Sequence, residues 1–221
     1  MTFASTLAAA TGAVVNMPDY RLAPEHPFPA ALHDIAGVYD AMLASSPSPL
    51  VVAGDSAGGG LGVGLALALA LALALALACV VSGVEVPVGL MLMSPWVDLT
   101  MAADTYETRA NTDQLFSREL AQDAAASYLQ GVEATDPLAS PIFANLEGLP
   151  PSLIFAGGAE TLLSDAIALA SRLAHDGLSV EAHFVPPIQH VWPTLYPELD
   201  ESVEAFATMA RFAHRVARKA P

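Results

Sequence analysis

The fold is decided by residues 50–64, "LVVAGDSAGGGLGVG", which lead directly into a run of Leu-Ala pairs from Leu65 to Ala78. The first four residues are apolar and include two valines, as is typical of a buried parallel strand. Gly54 to Gly58 then fit the pattern G-x-S-x-G, in which small residues let the chain turn sharply and expose the serine hydroxyl. The stretch therefore predicts a strand, a tight turn that carries Ser56, and a helix.

The Leu-Ala run needs an interpretation of its own, because no charged residue occurs from Ser56 to Val84. An uncharged stretch of this length can cross a bilayer. The nearest basic residues are Arg21 and Arg109, however, and no aromatic belt borders the run. Leucine and alanine favour a helix despite the period of two, and a helix apolar on every side must be buried. The preceding strand and turn favour burial in a protein core, and attachment to a membrane through Leu65 to Ala78 is the least favoured hypothesis.

Composition excludes several classes of protein. The 221 residues suit one domain, and a hydrophobic content of 54% with 14% charged residues excludes a disordered or fibrous chain. The net charge of -15 repels polyanions, so nucleic acid is not expected as a partner. The single cysteine, Cys79, cannot form an internal disulfide, which favours a reducing, cytoplasmic location.

A nucleophilic serine needs a base, and the base needs an acid that orients it. A second apolar strand, Leu153 to Ala156, is followed by Glu160, and Asp165 comes one turn into the next predicted helix. His190 follows a third strand in "VEAHFVPPIQHVWP". Because ligands of open parallel sheets bind beyond the carboxyl ends of the strands, these residues are expected at one edge. The order serine, acid, histidine is that of the α/β-hydrolases.

Five segments in chain order carry a family resemblance. They are "DYRLAPEHPFPAALHD" (19–34), "GDSAGGG", "SPWVDLT", "DPLASP" and the loop of His190. Together they closely resemble the hormone-sensitive-lipase-like branch of the α/β-hydrolases, the bacterial family IV esterases. The resemblance implies an α/β-hydrolase fold, with a mostly parallel sheet flanked by helices. It also implies hydrolysis of small esters with short to medium acyl chains, through an acyl-enzyme and without a metal or organic cofactor.

The resemblance implies roles for individual residues. Ser56 is the nucleophile, His190 the base and Glu160 the acid, although family members usually have aspartate at that position. Asp165 stays open as the alternative acid, but it is less favoured because the helix dipole alone explains an aspartate in a first turn. The N–H of Ala57 is the expected oxyanion donor. Trp96 is a candidate substrate contact, although a packed aromatic is the more ordinary interpretation.

The sequence also departs from the family. No His-Gly-Gly-Gly segment occurs before Asp19, so we expect the first strands, the N-terminal cap and most of the oxyanion hole to be missing. Loss of one oxyanion donor costs roughly 100- to 1000-fold in rate. The favoured function is a serine carboxylesterase, in which the loss of oxyanion donors would weaken the activity. The alternative is a catalytically impaired remnant of the fold that binds small molecules or a protein partner.

The same departure bears on the sheet. In the family, the strand that leads into the missing glycine segment lies between a strand expected at Ala13 to Asn16 and the strand of Leu50 to Ala53. Its absence leaves a gap, or lets those two strands pair directly. Exposed strand edges recruit other chains. We therefore predict that the chain forms a homo-oligomer.

Overall fold

The computed structural model describes residues 3–46, 48–78 and 85–219, and for residues 73–78 it describes the backbone alone. Four parallel strands form one sheet in the order β1-β2-β3-β4. They are β1 (Val51–Asp55), β2 (Gly89–Met93), β3 (Ser152–Gly157) and β4 (Val180–Val185). The helices are α1 (Phe3–Thr11), α2 (Ala30–Ser45), α3 (Ala57–Ala78), α4 (Thr105–Thr108), α5 (Arg118–Leu129), α6 (Leu163–His175), α7 (Trp192–Leu195) and α8 (Asp200–Ala217).

The central strands β2 and β3 are buried along their whole length, which explains their continuous apolar sequence. Successive side chains of β2 point to opposite faces of the sheet. Leu90 and Leu92 pack with residues of α3 and α6, whereas Met91 and Met93 pack with residues of α1 and α8. Helices therefore cover both faces of the sheet, as expected for parallel strands.

The Leu-Ala run forms the predicted helix, α3, which continues from the elbow to Ala78. Its first half lies in the core, where Val63, Ala66 and Leu67 pack against β2 and β3. Among the residues described with their side chains, no helix is both long and apolar enough to span a membrane. Cys79 lies outside the described residues.

The strand expected at Ala13 to Asn16 is wrong. These residues have an irregular backbone, and the side chains of Val14 and Met17 are 87% and 76% exposed. A strand requires a neighbour that accepts its hydrogen bonds, and no described strand lies beside this segment. Direct pairing with β1 does not occur either, so β1 is an edge strand within the described part of the chain.

Candidate active site

The turn between β1 and α3 is sharp because two glycines let backbone segments approach closely. A side chain at Gly54 would place its Cβ 2.2 Å from the carbonyl oxygen of Gly58. A Cβ at Gly60 would lie 2.3 Å from the carbonyl oxygen of Trp96. Ser56 itself has a φ of 51°, the left-handed conformation that is costly for a residue other than glycine. The predicted strained elbow is present, and its backbone is held by hydrogen bonds from both sides.

Those hydrogen bonds connect the elbow to the end of β2. The N–H of Ser56 donates to the carbonyl of Met93 at 2.9 Å, and the N–H of Trp96 donates to the carbonyl of Ser56 at 2.9 Å. Because Ala57 begins α3, its N–H is one of the first-turn donors that have no partner within the helix. It therefore has the position of the expected oxyanion donor.

The structure brings Ser56, His190 and Glu160 together at the carboxyl edge of the sheet. Nε2 of His190 lies 3.0 Å from Oγ of Ser56. On the other side of the ring, Nδ1 of His190 lies 3.7 Å from Oε1 of Glu160. Both of these facing atoms are buried and have no hydrogen-bond partner among the described residues. At 3.7 Å the pair is longer than a hydrogen bond, but such contacts are often long before substrate binds.

The carboxylate of Glu160 is completely buried, and its second oxygen is firmly held. Oε2 accepts hydrogen bonds from the hydroxyl of Ser94 at 2.7 Å and from the N–H of Gly157 at 2.9 Å. Two hydrogen bonds to one carboxylate oxygen fix the orientation of the carboxylate. The remaining oxygen, Oε1, is thereby left facing His190.

Asp165, the alternative acid, lies in a different environment. Its Oδ2 accepts the N–H groups of Val97 and Asp98, both at 3.1 Å, and so holds the loop behind the elbow. Burial raises the pKa of Asp165 to about 7, although these two N–H donors act in the opposite direction. Neighbouring negative charges on Asp98 and Glu160 add to the rise. The geometry therefore favours Glu160 over Asp165 as the partner of His190.

One aromatic side chain covers the ring of His190. Phe116 stacks on the ring of His190 with a centroid distance of 5.8 Å and an interplanar angle of 13°. Trp96, the candidate substrate contact, is only 7% exposed, and its ring meets Phe116 edge to face. Its Nε1 donates to the carbonyl of Asp98. Trp96 is thus packed, and Phe116 is the aromatic residue next to the reactive groups.

Phe116 is held by a turn that sequence reasoning missed. Oδ1 of Asp113 accepts the N–H groups of Leu115 and Phe116 at 3.0 Å, and its Oδ2 accepts the N–H of Thr161 at 2.8 Å. Asp113 therefore connects the turn that carries Phe116 with Thr161, the residue directly after Glu160. An aspartate two residues before an apolar pair is a weak turn signal, and no spacing in the sequence points from it to His190.

The described residues contain no cluster of three or more histidine, cysteine or acidic side chains placed to bind a metal ion. The site contains a serine hydroxyl beside an imidazole, a buried carboxylate on the other side of the imidazole, and a helix N-terminus beside the serine. Such a set can activate an oxygen nucleophile and stabilise a developing oxyanion.

Comparison with known proteins identifies the family to which the chain is similar. Residues 1–194 match a family model described as the alpha/beta hydrolase fold. The chain is 36% identical over 210 residues to an acetyl-hydrolase of Streptomyces hygroscopicus, covering 94% of this chain and 67% of that protein. It is 33% identical over 210 residues to an esterase of Acinetobacter venetianus, covering 94% of this chain and 66% of the relative. The chain thus spans about two thirds of the length of these curated relatives.

Solved structures give the same result. A crystal structure of an esterase from the bacterial hormone-sensitive lipase family superposes with a TM-score of 0.88 at 37% identity, covering 97% of this chain and 70% of that one. The esterase EstE5, in a crystal soaked with ethyl alcohol, superposes with a TM-score of 0.88 at 35% identity, covering 98% of this chain and 70% of that one. The predicted fold class and the predicted resemblance are both confirmed.

Proposed function

Because this chain is a carboxylic ester hydrolase of the α/β-hydrolase family, in its hormone-sensitive-lipase-like branch, we propose that Ser56, His190 and Glu160 form its catalytic triad. The observation that carries the proposal is the 3.0 Å approach of Nε2 of His190 to Oγ of Ser56. It is supported by the burial of Glu160 directly behind the same imidazole. We also propose that residues 1–221 act as a single catalytic domain.

The reaction is a two-step acyl transfer. Nε2 of His190 takes the proton of Ser56 as the serine oxygen bonds to the carbonyl carbon of the ester, and Glu160 stabilises the imidazolium. The N–H of Ala57 donates to the oxyanion of the tetrahedral intermediate. The bond from carbon to the alcohol oxygen then breaks, and His190 gives its proton to the departing alcohol. Water repeats the cycle on the acyl-enzyme and releases the acid.

The substrates we propose are small esters with short to medium acyl chains. Support comes from the relatives, one of which is an acetyl-hydrolase, while crystals of EstE5 have been soaked with p-nitrophenyl butyrate. The net charge of -15 agrees with an uncharged ester rather than an anionic substrate.

The test is hydrolysis of p-nitrophenyl butyrate by the 221-residue chain and by Ser56→Ala, Glu160→Gln and Asp165→Asn variants prepared identically. We expect turnover in the parent chain, background rates in Ser56→Ala, and a loss in kcat of about 100-fold or more in Glu160→Gln. Asp165→Asn is the matched control, because its side chain is a buried carboxyl outside the triad, and it should keep most of the parent activity. Equal rates in the parent and Ser56→Ala would contradict the proposal and favour the binding-protein alternative.

We propose further that the chain self-associates through the open edge of β1. Support comes from the outer edge of β1, which pairs with no strand in the described part of the chain. Light scattering at micromolar concentration should give a mass above that of the 22.8 kDa chain. A clean monomer would contradict this proposal.

A cytoplasmic location is the remaining proposal, and it is supported by the single cysteine of the sequence. Fractionation of cells that produce the protein should recover it with cytoplasmic markers. Recovery with the membrane fraction would contradict the proposal.

A further inference from the structure

Ser94, which follows the last residue of β2, has an unusual backbone for a completely buried serine. Its φ is 50°, in the left-handed region where glycine would be less strained. Its N–H donates to the carbonyl of Phe155 on the neighbouring strand at 2.7 Å. Backbone strain persists only where the surrounding structure holds it in place. A serine at this strained, fully buried position therefore suggests that its hydroxyl has a structural or functional role.

The hydroxyl of Ser94 makes two hydrogen bonds, one as donor and one as acceptor. It donates to Oε2 of Glu160 at 2.7 Å. It accepts the N–H of Val191 at 3.0 Å. A single serine hydroxyl at the end of β2 therefore connects the carboxylate behind the imidazole with the residue directly after His190.

Both connected groups need support. Val191 has a φ of 46°, so the chain beside His190 is itself in the left-handed conformation and would relax if released. Glu160 has a flexible side chain, and its orientation depends on the two donors to Oε2, Ser94 and Gly157. With Oε2 fixed, Oε1 stays 3.7 Å from Nδ1 of His190.

We propose that Ser94 is a positioning residue for the reaction: its hydroxyl sets the distance and angle between Glu160 and His190 by holding both of their loops. The inference rests on the proposed function of the triad. Ser94 is completely buried, and its hydroxyl bonds to Glu160 and to the N–H of Val191. A side chain that acts through these groups should change kcat when lost and leave KM unchanged.

Two variants separate the hydroxyl from the backbone. Ser94→Gly removes the hydroxyl and relieves the left-handed strain, whereas Ser94→Ala removes the hydroxyl and keeps the strain. Both should lower kcat by roughly 10- to 100-fold, by analogy with the loss seen when a group that orients a metal-binding side chain is removed, with KM within about twofold. Ser94→Gly should unfold at a higher temperature than Ser94→Ala, because both lose the hydroxyl and glycine alone relieves the strain. Ser152→Ala is the matched control, because Ser152 is also fully buried and its hydroxyl donates to the carbonyl of Pro150.

A second readout does not depend on turnover. The amide N–H of Val191 loses its acceptor in both Ser94 variants, so its hydrogen exchange, followed by NMR, should become faster than in the parent and in Ser152→Ala. A loss of activity confined to Ser94→Gly would point to backbone flexibility and overturn the proposal. So would kcat values within twofold of the parent in both variants.

If the parent chain itself has no activity dependent on Ser56, the proposed function fails and the exchange measurement decides the inference alone. Faster exchange at Val191 in both Ser94 variants would then support the connection made by the hydroxyl. Unchanged exchange would overturn it.

Discussion

The carboxyl edge of the sheet and the N-terminal segment of residues 12–29 differ in what holds their backbone in place. At the sheet edge, a Cβ at Gly54 or at Gly157 would meet backbone oxygens at 2.2 and 2.3 Å. In the N-terminal segment, a Cβ at Gly12 would meet nothing within 4 Å, and Val14 is exposed. Close backbone approach requires particular residues and can therefore be recognised in a sequence. A strand requires a partner elsewhere, which a local pattern does not specify.

The largest expected effect comes from adding a side chain at Gly54, where two backbone segments of the elbow approach closely. Gly54→Ala forces a methyl group into the carbonyl of Gly58, and backbone atoms cannot move aside as a side chain can. We expect a loss of about 3 kcal/mol or more in the free energy of unfolding, together with loss of activity. Gly37→Ala is the control, because that helical glycine has open space around it, and it should be neutral or stabilising by up to about 1 kcal/mol. Chemical denaturation measures the free energy of unfolding of both variants. Equal values for Gly54→Ala and Gly37→Ala would contradict this prediction.

A smaller effect should come from Asp165, which holds the loop behind the elbow. Burial raises the pKa of Asp165 from 3.8 to about 7, so the folded chain binds this proton more tightly than the unfolded chain. The resulting stabilisation is complete below about pH 4 and is lost as the pH rises through 7. Asp165→Asn is neutral at every pH and should gain stability relative to the parent between pH 5 and 8. Urea denaturation at pH 5 and at pH 8 measures the two free energies of unfolding. If Asp165→Asn lost stability relative to the parent as the pH rose from 5 to 8, the result would contradict this prediction.

The N-terminal segment should tolerate changes that the sheet does not. Val14→Ser and Met17→Ser replace exposed side chains, so each should alter the free energy of unfolding by no more than about 0.5 kcal/mol. Ile154→Ala in the buried strand β3 is the comparison, with an expected loss of about 2–5 kcal/mol. A large loss in Val14→Ser or Met17→Ser that depends on protein concentration would mean that a second copy covers these side chains.

The smallest effect should come from the ion pair of Arg21 and Asp34, whose side chains are 50% and 27% exposed. Hydrogen bonds from Arg21 lower the pKa of Asp34 from 3.8 to about 2. The pair therefore stabilises the fold above about pH 4 and loses this contribution as the pH falls through 2. Asp34→Asn should lower Tm slightly at pH 7, because exposed pairs contribute little. The difference in Tm between parent and variant should shrink towards pH 2, and a difference that grows on acidification would contradict this.

Much of the site follows from the sequence because its signals are local. The elbow, the helix after it, the strand before Glu160 and the loop of His190 all lie where their patterns predict them. The contributions of Ser94 and Phe116 could not be predicted, because each reaches the site from a distant segment whose path depends on tertiary contacts. The strand expected at Ala13 to Asn16 failed for the same reason, since its pairing partner is not set by its own residues.

The central claim is that Ser56 is an activated nucleophile, and covalent labelling tests it most directly. The chain and its Ser56→Ala variant are treated with diethyl p-nitrophenyl phosphate, and peptide mapping by mass spectrometry locates any adduct. A serine whose proton is taken by His190 should displace p-nitrophenol and keep the diethyl phosphoryl group. The account predicts one adduct per chain on Ser56 and none in the variant. No adduct in the parent chain, or an adduct that persists in Ser56→Ala, would contradict it.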